Sequence, residues 1–139
     1  MFPPEIKVDQ LNEFSKNCMV EHVGIEFTEI GKDYIIGRMP VDHRTKQPLG
    51  LLHGGASVVL AETLGSVAAS LLLNPATHYA VGLDINANHI KPAKDGFVTG
   101  KCKPLHVGKG THVWQIEITS SDAQLVCVSR ITMAILSKK

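Results

Sequence analysis

A single glutamate stands in the most apolar stretch of the chain. Glu62 lies within residues 56–73, a proline-free run whose other members are almost all small or aliphatic. Burying a carboxylate is costly unless it is paired or its pKa rises, and a carboxylate with a raised pKa is a good general base or nucleophile. Glu62 is therefore the candidate catalytic group, and a structural glutamate satisfied at an interface is the alternative. Ser66, one helical turn later, could hydrogen-bond the carboxylate or a water.

The segment before that run is rich in glycine and carries groups that could orient a carbonyl. It reads Gln47-Pro48-Leu49-Gly50-Leu51-Leu52-His53-Gly54-Gly55. Glycines at the start of a helix let a ligand approach the backbone, and N–H groups of the first turn can stabilise an oxyanion. Gly54 is thus the candidate oxyanion donor, and Gln47 and His53 are candidate orienting groups; a capping histidine and a loop glutamine are the plain alternatives. Together with Glu62 they make a coherent site for acyl transfer.

Other catalytic chemistries find less support in the sequence. There is no G-x-S-x-G nucleophile elbow, H-E-x-x-H zinc motif, Walker loop or dinucleotide-binding glycine pattern. The histidines are too scattered to indicate a metal site, and no cysteine stands beside a base motif. We therefore expect no metal.

Length and charge narrow the functions further. The chain has 139 residues, which suits one domain over residues 1–139. Its net charge of +1 argues against a nucleic acid as the main partner. Residues 89–112 nevertheless hold five lysines, Lys91, Lys94, Lys101, Lys103 and Lys109, against the single acidic residue Asp95. Such a basic field suits a small polyanion with several phosphates, unless the lysines are only a solvated face of a strand.

Cysteine usage and the termini indicate a cytoplasmic protein. The three cysteines show no C-x-x-C spacing, so we expect reduced, mostly buried thiols. The N-terminus lacks the basic and apolar regions of a signal peptide. Polar residues interrupt the run around Glu62, so no membrane span is expected.

The elements that must position these groups follow from periodicity. Asp9 could cap a first helix with Leu11, Phe14 and Cys18 on one face. The later elements are predicted as strands at 24–30 and 33–41, a loop at 42–55, a buried helix at 56–73 and about four antiparallel strands. In the first of these four strands, Leu83, Ile85 and Ala87 are expected to face the core. One sheet around one apolar helix gives an α+β fold.

Four stretches of the sequence resemble hotdog-fold acyl-CoA thioesterases. They are residues 39–57, which contain His53-Gly54-Gly55, and residues 82–89, 102–108 and 113–117. The similarity extends over nearly the whole chain and points to a bacterial branch that serves menaquinone and enterobactin synthesis. It implies a hotdog fold, in which a curved antiparallel sheet wraps around one long central helix. It also implies hydrolysis of an aromatic acyl-CoA, of the hydroxynaphthoyl or hydroxybenzoyl type, to the free acid and CoA.

Carried over position by position, the resemblance makes Glu62 the catalytic base or nucleophile. Gln47 and His53 would orient the thioester, the Gly54 N–H would hold its carbonyl oxygen, and Ser66 would assist the water or the carboxylate. Contacts with the CoA portion would come from Gly82, His89, Ile90, Lys91, Pro92, His106, Val107, Gly108, Lys109, Gly110 and Thr111, with Ser137 closing the edge. The lysines then become a phosphate-binding rim. Lysine stands at 91, where arginine is common in relatives, and its loss of the bidentate fork predicts looser CoA contacts there.

The expected partners are the acyl-CoA substrate and further copies of the chain. A sheet that wraps one helix leaves an exposed edge and apolar surface, which predicts an oligomer. The resemblance implies a dimer with a continuous sheet, two dimers in a tetramer, and active sites shared between chains. CoA belongs to the substrate, so no cofactor is expected, and neither a nucleic acid nor a membrane is an expected partner. The alternatives are a non-catalytic acyl-CoA-binding module and a thioesterase for carrier-protein thioesters; a dehydratase would need a His/Asp arrangement that we do not find.

Overall fold

Six antiparallel strands and one long helix make up most of the structure, a computed structural model that describes residues 1–139. The elements are α1 (Val8–Phe14), α2 (Met19–His22), β1 (Glu26–Ile30), β2 (Ile35–Pro40), α3 (Gly54–Leu71), β3 (His78–His89), β4 (Phe97–Val107), β5 (Thr111–Ser120) and β6 (Leu125–Ser137). The strands form one open sheet in the order β1-β2-β4-β5-β6-β3, so β1 and β3 are its edges. The predicted α+β architecture, with two early strands, a long helix and four later strands, is confirmed.

The long helix α3 packs one face against the sheet. That face consists of Ser57, Leu60, Ala61, Leu64, Gly65, Ala68 and Ala69, all buried. Leu64 fits where the paired glycines Gly37 and Gly100 lack side chains, since a Cβ at either position would lie 2.9 or 2.7 Å from it. Both ends of α3 lie two residues earlier than predicted, and the start is fixed there because His53 caps the helix.

The opposite face of α3 corrects the expectation that the helix is buried on most sides. Val59, Glu62, Thr63, Ser66 and Val67 are only half-buried, because open pockets separate them from α1 and α2. By length and hydropathy α3 could also cross a membrane, and it is the one helix in the structure that could. Its packed face shows that it serves here as the central helix beside the sheet.

The strand faces follow the predicted alternation except at one position. Trp114, Ile116 and Ile118 of β5 are fully buried, as expected. In β3, however, Leu83 is 65% exposed. A β-bulge between Gly82 and Asp84 inserts Leu83 as an extra residue and turns it away from the core.

The N-terminal region departs further from prediction. Helix α1 begins after Lys7, and Asp9 lies in its first turn instead of capping it. Leu11 is buried, but Phe14 is 89% exposed and Cys18 is exposed too, so these residues do not share a buried face. The reason is that α1 ends at Phe14, and Cys18 belongs to the start of α2.

The other two cysteines follow the prediction. Cys102 and Cys127 are buried, and burial raises the pKa of both thiols above its ordinary value. Both side chains therefore behave as small apolar groups of the core.

Candidate active site

A hydrogen-bonded loop between β2 and α3 presents Gln47 and the helix start. Its anchor is Thr45, which is only 2% exposed. The Thr45 hydroxyl donates to the Pro40 carbonyl at 2.6 Å, and the Thr45 carbonyl accepts from the His53 N–H at 2.8 Å. On the other side, the Leu52 N–H donates to the Ala93 carbonyl at 2.8 Å. The loop is thus held on both sides, and Thr45 is a residue that the sequence analysis missed.

An ion pair at the entry of the loop adds to this order. The Asp42 carboxylate accepts from the Arg44 guanidinium at 2.8 Å and from the Arg44 backbone N–H at 2.9 Å. The hydrogen bonds from Arg44 lower the pKa of Asp42 to about 2, so the carboxylate stays ionised at neutral pH.

The start of α3 offers a free backbone donor. His53 caps the helix, because its Nδ1 accepts the Gly55 N–H at 2.8 Å. The Gly54 N–H donates to no atom of the chain. Gly54 also lies against His89, since a Cβ at Gly54 would lie 2.8 Å from His89 Nε2. A free N–H at the positive end of a helix is what an oxyanion site requires.

This donor lines a pocket of about 390 Å³ that brings several predicted residues together. The lining includes Gln47, Gly54, His89, Ile90, Lys91 and Pro92. The Gln47 side-chain oxygen accepts the Leu49 N–H, so its amide NH₂ group is left without a partner in the chain. The pocket therefore combines two unused N–H donors with one lysine.

Glu62 lies outside this pocket. It follows Gly54 by eight residues on the same helix, a rise of about 12 Å. Its carboxylate lies over β3, where a Cβ on Gly82 would be 2.5 Å from Glu62 Oε1. Gly82, predicted as a substrate contact, therefore makes room for the candidate catalytic group.

One expectation about Glu62, its enclosure, is wrong for a single chain, and the carboxylate accepts no hydrogen bond from Ser66. The side chain is half-buried instead of enclosed, and it makes no hydrogen bond or ion pair within the chain. The Ser66 hydroxyl lies 3.9 Å from Met133 Sδ and does not bond the Glu62 carboxylate. Glu62 and Ser66 instead share a second pocket of about 340 Å³ on the outer side of α3.

The remaining predicted contacts gather at the opposite end of the sheet. Val107, Gly108 and Lys109 line a pocket of about 630 Å³ together with His78. The neighbouring predicted residues are held by the hairpin: His106 packs against Gly108, the Gly108 N–H donates to Thr111, Gly110 accepts from Ile135, and Ser137 lies beside His78.

His112 lies at the start of β5, lines the same pocket and was not singled out by the sequence. It is buried, and its Nδ1 has no partner. Burial lowers the pKa of His112 below its ordinary value, so the ring stays neutral at pH 7.

One chain does not assemble the predicted rim of lysines. His89, two residues before Lys91, pairs with Cys127 of β6. Thr111, two residues after Lys109, pairs with Ala134 of the same strand. Seven residues of β6 separate these pairs, which is about 23 Å. Lys101 also points elsewhere, because its ammonium lies 4.2 Å from the Tyr34 ring centre.

Known proteins share both the sequence and the fold. The sequence model of the thioesterase superfamily matches residues 49–127. The 1,4-dihydroxy-2-naphthoyl-CoA hydrolase of Escherichia coli strain K12 is 52% identical over 132 residues, 95% of this chain and 96% of that protein. A relative from Vibrio cholerae, 55% identical over 130 residues, 94% of this chain and 86% of that protein, carries only a general esterase name.

Solved structures agree with this similarity. Thioesterase HI1161 from Haemophilus influenzae superposes with a TM-score of 0.94 at 46% identity, covering 98% of this chain and 94% of that chain. A variant of thioesterase PA1618 from Pseudomonas aeruginosa gives 0.96 at 42% identity, covering 99% of each chain. These similarities confirm the predicted hotdog fold and thioester hydrolysis as the activity. The chain therefore belongs to the thioesterase superfamily.

Proposed function

We propose that this thioesterase hydrolyses an aromatic acyl-CoA, of the hydroxynaphthoyl or hydroxybenzoyl type, to the free acid and CoA. The naphthoyl-CoA substrate in the name of the Escherichia coli relative supports the aromatic acyl group and a place in menaquinone biosynthesis. Lys91 and Lys109, each in a pocket, support a thioester that carries phosphates. The absence of disulfide spacing among the cysteines supports the cytoplasm as its compartment.

One observation carries the proposal. The free Gly54 N–H and the unpaired Glu62 carboxylate both border β3, an edge strand with no partner on its outer side. Gly54 lies at the His89 end of that strand, and Glu62 lies at Gly82. One chain therefore carries the groups for both halves of a thioesterase site, but the two halves are separated along the β3 edge of the sheet.

A second copy of the chain would bring the two halves together. Antiparallel pairing of β3 with its counterpart would continue the sheet and cover the exposed edge, including Leu83. Such pairing reverses the strand, so the Gly82 part of one chain would lie opposite the partner's His89. Glu62 would then approach the partner's Gly54, and Lys109 would approach the partner's Lys91. We extend this dimer to a tetramer of two dimers, as the resemblance implies.

The shared site would support hydrolysis with water as the only co-reactant. The Gly54 N–H would stabilise the oxyanion, while Gln47 and His53 orient the carbonyl. As a base, Glu62 would take a proton from water while the water oxygen attacks the carbonyl carbon; the C–S bond then breaks and the CoA thiolate receives the proton. As a nucleophile, its carboxylate would form a mixed anhydride and expel the thiolate, and water would then hydrolyse the anhydride. Neither route uses a metal or cofactor.

Subunit mixing tests the proposal. Glu62→Gln and Gln47→Ala each disable one half of the site, and both variants are expected to release little thiol from benzoyl-CoA. Oligomers unfolded and refolded together should recover up to about a quarter of wild-type activity, because half of the random dimers are mixed and each mixed dimer has one intact site. Each variant refolded alone is the control.

Three results would contradict the proposal. No recovery on mixing would place the site within one chain. Binding of benzoyl-CoA by the wild type without thiol release would indicate a non-catalytic module. Faster turnover of carrier-protein thioesters than of any CoA thioester would exclude CoA as the natural carrier.

A further inference from the structure

Two hydroxyl groups hold the His78 ring at the start of β3. The Thr77 hydroxyl oxygen lies 2.8 Å from His78 Nδ1, and the Ser137 hydroxyl oxygen lies 3.5 Å from Nε2. Thr77 donates its only hydroxyl proton to the Asn74 carbonyl at 3.3 Å, so its oxygen accepts from the Nδ1–H group of His78. Nε2 is therefore the nitrogen that can take up a further proton.

The pocket beside this ring suits an anion. His78 and Lys109 both line the pocket of about 630 Å³, and no aspartate or glutamate lines it. Ser137 is the cross-strand partner of His78, so its hydroxyl group can accept a hydrogen bond when Nε2 carries a proton. A protonated His78 would then be a second cation in the pocket, and its N–H groups would be charge-assisted donors.

Three titratable groups lie around His78, and none of them is acidic. Lys109 comes from the hairpin, and Lys138 follows β6 and donates to the Pro75 carbonyl at 2.5 Å. The third group is His112 of β5, which stays neutral because burial lowers its pKa. The two lysines disfavour a positive charge on His78 in the free enzyme, whereas a bound phosphate favours it. Phosphate binding and protonation of His78 should therefore promote each other.

We propose that His78 is a further binding residue for the phosphates of the CoA thioester and that it contacts them in its protonated form. Imidazole is the side chain that changes charge between pH 5 and pH 8, so this contact strengthens as the pH falls from 8 to 6. The affinity for CoA thioesters thus depends on pH through a group that lies far from Glu62. The inference rests on the proposed function, because it requires the CoA portion of the substrate to lie beside Lys109.

A neutral variant measures what the proton contributes. His78→Gln keeps hydrogen-bonding groups but cannot become charged. From pH 6 to pH 8, KM for benzoyl-CoA should rise by a factor about threefold larger in the wild type than in His78→Gln, since one exposed charge contact is worth little. The pH dependence of kcat should be the same in both proteins, because phosphate contacts are equal in ground and transition states. His43→Gln changes an exposed histidine outside the pocket and should match the wild type.

A charged variant and a substrate without phosphates identify the group that is bound. His78→Lys carries a permanent charge, so its KM for benzoyl-CoA at pH 8 should fall below that of the wild type. This variant also decides the question if His78→Gln does not fold. Benzoyl-pantetheine lacks the phosphates of CoA, and its KM should change with pH equally in the wild type and in His78→Gln.

Calorimetry gives a measurement that does not require turnover. The probe is adenosine 3′,5′-bisphosphate, a nucleotide with the 3′-phosphate of CoA, titrated at pH 7 in two buffers of different ionisation enthalpy. Binding to the wild type should take up more protons than binding to His78→Gln, because the imidazole gains a proton when the phosphate binds.

The outcomes separate this inference from the proposed function. Equal changes in KM and equal proton uptake in the wild type and His78→Gln overturn the contact, while hydrolysis of benzoyl-CoA upholds the proposed function. A His78-dependent change in KM for benzoyl-pantetheine also overturns it, since no phosphate is then involved. Proton uptake that requires His78, without thiol release from any CoA thioester, upholds the contact and refutes the proposed function.

Discussion

The start of α3 and its middle differ in how completely one chain builds them. At the start, Thr45, His53 and the Ala93 carbonyl fix the backbone through hydrogen bonds, and the Gly54 N–H is left free. In the middle, the Glu62 carboxylate has no hydrogen-bond partner, and its close neighbour is the bare backbone of Gly82. The proposed oxyanion half of the site is therefore ordered within one chain, whereas the proposed carboxylate half has no hydrogen-bond partner within one chain.

The difference fits the chemical tasks of the two halves. Backbone donors stabilise an oxyanion only if they are already in place when charge develops, so they must be fixed by the local fold. A carboxylate becomes a strong base when water is removed from around it, and a second subunit with bound substrate can do this. We infer that assembly completes the half that contains Glu62.

The largest loss of activity is expected when the Glu62 carboxylate is removed. Glu62→Gln keeps the shape of the side chain but cannot take a proton or attack a carbonyl, so kcat for benzoyl-CoA should fall by at least about a hundredfold. Because Glu62 makes no bond within the chain, the melting temperature should stay near that of the wild type. A folded variant that keeps more than about a tenth of the turnover would show that Glu62 is structural.

A smaller loss of activity is expected when Thr45, which anchors the loop before α3, is changed. Thr45→Val keeps the volume but removes the hydroxyl that donates to the Pro40 carbonyl, which should shift His53 and the Gly54 N–H. We expect kcat to fall by about tenfold with little change in KM, because the oxyanion contact strengthens in the transition state.

Two controls separate positioning from simple loss of stability. Thr45→Ser restores the donor and should restore kcat. Thr28→Val removes an exposed threonine hydroxyl on β1 and should leave both parameters unchanged. A fall in melting temperature with unchanged kcat in Thr45→Val would show that Thr45 supports the fold alone.

The same contrast explains what could be predicted from the sequence. Elements whose character is local were predicted well: the alternation that buries Trp114 and Ile116, the length of α3, and the N–H of Gly54 that donates to no atom of the chain. The helix cap that His53 provides was only the alternative to its predicted role in orienting a carbonyl. Leu83 was placed wrongly because a β-bulge leaves no mark in an alternating pattern. Phe14 was placed wrongly because α1 stops too soon to carry its apolar stripe onwards.

The errors at the site come from contacts distant in sequence. The apolar composition of α3 predicted that the helix is buried on most sides, but composition does not tell whether the same chain or another chain covers it. The closeness of Gly82 to Glu62 and the distance between Lys91 and Lys109 depend on strand order, which periodicity does not reveal. Thr45 carried no signal at all, since one buried hydroxyl in a polar loop resembles any other threonine.

The weakest loss of function is expected from the two lysines, which lie in different parts of one chain. Within one chain Lys91 lies near Gly54 and Lys109 lies at the far end of the sheet, whereas the proposed shared site would place both beside one CoA. Lys91→Ala and Lys109→Ala should each raise KM for benzoyl-CoA about threefold with unchanged kcat, because an exposed ion pair is worth little and is equal in ground and transition states. Both increases in KM should shrink as the salt concentration rises, and Lys32→Ala, in the exposed turn after β1, should leave KM unchanged.

If the lysines contact separate phosphates of one CoA, the double variant should raise KM by about the product of the single effects, since independent contacts add in free energy. A double variant no worse than either single variant would mean that the lysines depend on each other. An unchanged KM in Lys109→Ala alone would leave CoA bound by the Gly54 half only and would remove the need for a partner at the rim.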